Sequence, residues 1–304
     1  MRKKSGLIIL LLALTGCANT AGDSVKDTVS ITQSLPVSTE ASESSIDKSE
    51  DSIKDGETSV GKQMDIYEDD GLRLELVSEL DGAGNIVPES VRLKIENSMD
   101  DECMIRSIGT AVNNMTIGNS LKYAEIDGND STEEEVMLSK LEMGLAGISS
   151  ISSYELFLRV GTGEEGKLVS LTLSGTDTNA DTAVPQYEGT VVYDDEFVKI
   201  KSQGILEDGL YFSPTVRLVI ENKKDEILFI DIDNSQATVN GEETLASIGS
   251  GVWVFPHTVC FVEPDIPMMA SISDQLKKFE TQLIVMDYGY QELAKVDIKI
   301  SDDE

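Results

Sequence analysis

The sequence predicts an all-β protein: two antiparallel β-sandwiches in tandem, behind a short leader and a polar tether. Three observations carry this. Apolar residues alternate with polar ones at Leu72, Leu74 and Leu76, at Val91, Leu93 and Ile95, and at Val198 and Ile200. A period of two means a strand with one buried face. Turn-forming stretches separate such runs: Asp81-Gly82-Ala83-Gly84-Asn85, Asp127-Gly128-Asn129-Asp130 and Asn240-Gly241. Finally, the pattern repeats. Val91-Arg92-Leu93-Lys94-Ile95-Glu96-Asn97 returns as Val216-Arg217-Leu218-Val219-Ile220-Glu221-Asn222, a shift of 125. Three further features keep that shift and order: an acidic turn (Asp100-Asp101, then Asp225-Glu226), a late strand and a closing strand. In the late strand Tyr154, Leu156, Leu158 and Val160 align with Phe279, Thr281, Leu283 and Val285; in the closing strand Leu171 and Leu173 align with Val296 and Ile298.

Taken in order, residues 1–16 open with Arg2, Lys3 and Lys4, run through apolar Leu7–Leu14, and end in Thr15 and Gly16 before Cys17. The apolar run is too short to span a bilayer as a permanent helix, and the basic end is the one retained in the cytoplasm. This arrangement resembles the bacterial lipoprotein signal, with Leu14-Thr15-Gly16-Cys17 as its lipobox. The resemblance implies peptidase recognition of Leu14, Thr15 and Gly16, cleavage before Cys17, and diacylglycerol on the Cys17 thiol. Further acylation, palmitate included, gives stable anchoring where one chain is marginal. A plain secretory signal with a chance cysteine is the alternative.

Residues 17–64, the lipidated Cys and a Ser/Thr-rich acidic tether, are poor in aromatics and are expected to be disordered. As a flexible coil the tether would have an end-to-end distance of roughly 35–40 Å. The first sandwich is expected over 65–176 and the second over 189–304. Residues 177–188, apolar-poor and containing Pro185, read as the linker. One helical turn is expected near Gly147–Ser152, with its counterpart near Ser273–Lys278.

A strand ending Glu-Asn, an acidic turn, a second strand and then Val239-Asn240-Gly241 resembles the immunoglobulin-like (telokin-like) modules of Gram-positive surface lipoproteins. The resemblance covers residues 65–304 and fits the second unit better. In the first unit Val112-Asn113-Asn114 stands where Val-Asn-Gly is expected, and the acidic stretch Glu125–Glu135 has no clear equivalent. The resemblance implies a fold and a location on the outer leaflet of the cell membrane; it favours a Gram-positive host, and Ala18 directly after Cys17 leaves a Gram-negative outer membrane as the alternative. It implies no reaction, because such modules serve many roles.

Composition narrows the function classes. The chain carries 24 Lys+Arg against 56 Asp+Glu, a net charge of −32. Losing residues 1–16 removes three basic residues and no acid, which takes the charge to −35. Such a surface repels phosphate backbones, so no nucleic-acid partner is expected. Anionic headgroups repel it too, which leaves the Cys17 lipid as the membrane attachment. Cys103 and Cys260, one in each half, are expected as buried free thiols, with a bridge between the halves as the alternative.

Catalytic chemistry finds little support. His257 is the sole histidine, and on a strand Cys260, three residues on, would face the opposite side, so a turn position after Pro256 is expected. One histidine also leaves no ordinary zinc site, and no Gly-rich phosphate loop opens a helix. The stretch Asp127–Glu135 invites a calcium reading, but Thr132 stands where an EF-hand loop has Gly and Leu138 where it has Glu. A solvated loop is the expectation there, with no metal and no cofactor. Trp253, the sole tryptophan, lies in Val252-Trp253-Val254-Phe255. Burial of both aromatics in the sandwich core is the favoured register; in the other register Trp253 would be exposed and the best single contact for a partner. The reading is therefore a non-catalytic, membrane-anchored extracytoplasmic lipoprotein presenting two modules for protein interaction or spacing. The alternative is an extracellular ligand- or calcium-binding lipoprotein.

Overall fold

Alternation becomes strand pairing from Lys62 onward. The structure is a computed structural model and describes residues 62–161, 166–176, 185–207, 214–233, 236–266 and 276–302. In the first half β1 (Lys62–Asp69), β2 (Leu72–Glu79), β3 (Arg92–Asn97) and β7 (Asp130–Glu135) form one antiparallel sheet in that order. Against it lies β4 (Cys103–Val112), paired to β5 (Met115–Ile117), β6 (Tyr123–Ile126) and β8 (Ser153–Gly161), with β9 (Lys167–Ser174) beyond β8. Leu74, Leu93, Ile95, Ile105, Tyr154 and Leu156, all drawn from the inward set of their strands, fill the space between the sheets.

The second half repeats the plan. β10 (Thr190–Asp194), β11 (Val198–Leu206), β12 (Thr215–Asn222) and β17 (Val259–Val262) make one sheet. The facing sheet is built on β13 (Leu228–Ile232), β14 (Thr238–Val239), β18 (Lys278–Asp287) and β19 (Glu292–Ser301), with β15 (Glu242–Glu243) and β16 (Val252–Val254) beside β14 and β13. In each half the third strand pairs with the strand that follows the second crossover (β3 with β7, β12 with β17). The fourth pairs with the next-to-last (β4 with β8, β13 with β18). These are the inter-strand pairings of an immunoglobulin-like sandwich.

Two asparagines explain the repeated Glu-Asn and acidic turn. The buried Asn97 amide donates to the carbonyls of Asp101 (2.8 Å), Ile126 (3.2 Å) and Asp127 (3.2 Å), while its Oδ1 accepts from the Met99 N–H (3.1 Å). Asn222 does the same with Glu226 (2.8 Å), Val254 (2.9 Å), Phe255 (3.0 Å) and the Lys224 N–H (2.8 Å). Each one ties the acidic turn to the crossover leading into β7 or β17 and satisfies carbonyls that sit away from water. A second pair anchors the strand starts. Asn113 Oδ1 accepts from the N–H groups of Ser152 and Ser153, and Asn240 Oδ1 from those of Lys277 and Lys278. Asn114 (φ 60°) takes the left-handed position of Gly241 (φ 86°), so Val112-Asn113-Asn114 builds the same turn as Val239-Asn240-Gly241.

Several expectations need correction. The stretch expected as a solvated acidic loop is largely strand β7, and it does have an equivalent, β17. Glu133 and Glu135 pair across to Lys94 and Arg92, and that charge complementarity lets an acidic sequence hold an edge strand. The helical turn precedes its expected place: α1 spans Lys140–Leu145, capped by the Ser139 hydroxyl accepting from the Glu142 N–H. Half of its expected counterpart, Ser273–Gln275, lies outside the described residues, and Lys278 already belongs to β18. The first strand opens at Lys62, ahead of residue 65. Of the expected linker, 177–184 lie outside the described residues, while Tyr187 packs onto Phe261 and donates its hydroxyl to the Ala146 carbonyl (3.2 Å).

Truncating Asn222 to Ala leaves buried carbonyls without a donor and should lower unfolding stability by about 2–3 kcal/mol. Urea denaturation checks this, and a loss smaller than about 1 kcal/mol would contradict the anchoring role.

Candidate functional site

β17 does not end its sheet. It runs parallel to β5 of the first half, with Val259 opposite Met115, the Val259 N–H donating to the Asn114 carbonyl (3.0 Å), and the Thr116 and Thr258 hydroxyls 3.0 Å apart. One nine-stranded sheet therefore passes through both sandwiches. Val219 and Val259, from the second half, are buried in the first half's core.

This continuity settles the register of Trp253. Val254 lies in the second core and Val252 packs against it, so Trp253 and Phe255 face the other way. The favoured register, with both aromatics inside the sandwich, is wrong, yet Phe255 is completely buried all the same. Its ring lies flat on Phe157 of β8, with centroids 3.9 Å apart and planes at 4°. Ala111, Phe157, Ile227 and Phe255 form a small third core between the sandwiches, with Ile108, Leu168, Trp253 and Tyr288 packed around it. A Cβ on Gly109 would stand 2.7 Å from the Phe255 ring, so only glycine admits this approach.

Outward from that core the aromatics continue to solvent. Trp253 is half-buried between Phe229 (4.6 Å), Tyr288 (5.5 Å) and Tyr290 (5.6 Å), and Tyr290 is exposed. Gly251, at φ 86°, has no room for a Cβ because the Phe229 ring covers it. Across the junction Arg159 Nε donates to the Tyr288 hydroxyl (2.7 Å), and its guanidinium sits 5.0 Å from the Tyr288 ring centre. Trp, Tyr and Arg held in place by packing are the side chains that dominate binding at protein interfaces.

Beside this patch a cleft of about 380 Å³ opens between β5 and α1 on one side and β16, β17 and the 247–251 turn on the other. Apolar side chains make most of its wall. Glu142 enters from α1, its Oε2 accepting from the Gly118 N–H at 2.6 Å. Glu263, with its side chain buried, is ion-paired to Arg217 (2.5 Å), while Asp265 is exposed. Cys260 touches the cleft from the second core; burial first, and then the Glu142 charge, push its thiol up to about 12. It is thus a protonated packing group at neutral pH. Cys103 is likewise free and buried, raised by burial in the other core.

Of the remaining sequence candidates, Leu14, Thr15, Gly16 and Cys17 lie outside the described residues. His257 occupies an exposed turn at φ 53°, with Nε2 2.6 Å from Asp225 Oδ1. Among the described residues no group of three or more His, Cys, Asp and Glu side chains is placed to hold a metal ion. In β7 successive carboxylates point to opposite faces, which scatters the oxygens a calcium ion would need together. The sequence reading missed Phe157, Arg159, Phe229, Tyr288 and Glu142.

No family model matches the chain, and no curated protein matches it. Among solved structures it is similar to the YadV chaperone, at 8% identity and a TM-score of 0.23 over 70% of this chain and 92% of that one. It is similar also to a Salmonella enterica SafA pilin in complex with the SafB chaperone, at 10% identity and a TM-score of 0.20 over 68% and 88%. The E. coli chaperone DraB follows at 12% identity and a TM-score of 0.21 over 68% and 87%. TM-scores this low carry no argument, and the fold rests on the strand pairings above.

If the third core couples the sandwiches, replacing both Phe157 and Phe255 by Ala should split a single urea transition into two. The expected loss is about 3–5 kcal/mol per ring. One unsplit transition at an unchanged midpoint would contradict the coupling.

Proposed function

We propose that this chain is a non-catalytic, extracytoplasmic lipoprotein that displays two joined immunoglobulin-like modules to a protein partner. The observation that carries the reading is the half-exposed aromatic patch of Trp253, Tyr288 and Tyr290, held rigid by Arg159 and the third core. Large aromatic side chains whose rotamers are already fixed lose little entropy on binding, so a surface of this kind favours association. In this reading Leu14, Thr15 and Gly16 direct processing, and diacylglycerol on Cys17 holds the chain at the outer leaflet of a membrane, that of a Gram-positive cell. The tether then sets the reach of the modules, and the strongly negative net charge keeps them clear of anionic surfaces. A second reading, an extracellular ligand-binding lipoprotein, is favoured by the cleft between the halves.

Cross-linking on intact cells tests the first reading, comparing the lipidated chain with Cys17→Ala. A reproducible partner recovered with the anchored form, and lost when Trp253 and Tyr290 are replaced by Ala, is the expected result. Recovery of no partner by either form would count against it.

A further inference from the structure

The cleft between the halves is both apolar and acidic. Ile108, Leu145, Ile248, Trp253 and Phe261 line it, drawn from both halves. Its carboxylates outnumber its cations: Arg217 is taken up by Glu263, and among the described residues the wall holds no basic side chain beside Glu142 and Asp265. Glu142 is also fixed: the Gly118 N–H holds its Oε2, and the short helix that carries it is capped by Ser139. An anionic or neutral segment entering here would strip water from Glu142 and return no charge partner. A cation pairs with it, and apolar neighbours of that cation meet the aromatic wall.

Charge also decides who the occupant is. Residues 17–61 of this chain hold nine acidic residues against three lysines, and a second copy carries −32. Both are repelled. At about 380 Å³ the cleft suits a few side chains of a segment and not a domain face.

We propose that the cleft docks a basic, apolar-flanked segment of a protein partner, with a Lys or Arg on Glu142 and its apolar neighbours against Trp253 and Phe261. This rests on the protein-interaction reading above and gives that partner its chemistry.

Trp253 is the sole tryptophan and lines the cleft, so its fluorescence reports occupancy directly. The full chain carrying Cys17→Ala is titrated with three octapeptides: alternating Leu and Arg, alternating Leu and Glu, and alternating Ser and Arg. The Leu–Arg peptide is expected to shift Trp253 emission and bind saturably, with the other two at least tenfold weaker. Glu142→Gln keeps an acceptor for the Gly118 N–H, so melting should be unchanged while Leu–Arg affinity falls about tenfold. Equal binding of the Leu–Arg and Ser–Arg peptides, or affinity untouched by Glu142→Gln, would overturn the proposal. If that happens while cross-linking still recovers an anchor-dependent partner, the interaction reading stands and the cleft is the wrong site. If both fail, the reading falls with it.

Discussion

Phe255 resting flat on Phe157 is the contact from which the rest of the molecule's arrangement follows. A fully buried aromatic ring contributes about 1.5–3 kcal/mol through the area it removes from water. Here that gain is made between two sandwiches instead of within one. It requires Gly109 to stay bare under the ring, and it lets Val259 come within hydrogen-bonding distance of Asn114. Once β5 and β17 lie side by side, two folding units share one sheet. The cleft exists only because the halves meet here, and so does the Arg159 bond that pins Tyr288 in the second half's aromatic patch.

Each half is tied internally by the same device. Asn97 and Asn222 fasten an acidic turn to the crossover that delivers β7 or β17. In the first half the strand so delivered ends at an acidic edge facing water; in the second half it enters the junction. A duplicated plan has thus been given two edge chemistries: charge that blocks pairing on β7, and apolar residues that accept it on β17.

Much of this was written in the alternation and the repeat. Inward residues such as Leu93, Leu218, Tyr154 and Phe279 fall where a period of two puts them, because burial between two sheets is a local demand on each strand. The junction was harder to read, since it buries the outward set, which the same reasoning assigns to water. Its trace lies in the differences between repeats. Lys94 becomes Val219 at the outward position of β12, and Gln282 stands in β18 where Phe157 stands in β8. A strand apolar on both faces signals a second partner layer, and that signal also fits Trp253 and Phe255. Glu142 and Arg159 gave none, because a lone charge in a sequence this acidic looks like any other.

A fixed cleft requires the two halves to be one rigid body. Spin labels at exposed Asp130→Cys in β7 and Asp297→Cys in β19 of the Cys17→Ala chain, measured by pulsed dipolar spectroscopy, test this while buried Cys103 and Cys260 stay unlabelled. A single narrow distance distribution is predicted. A broad or multi-peaked distribution would mean that the sandwiches swing independently, and neither the cleft nor the Arg159–Tyr288 contact would then be a fixed feature of the protein.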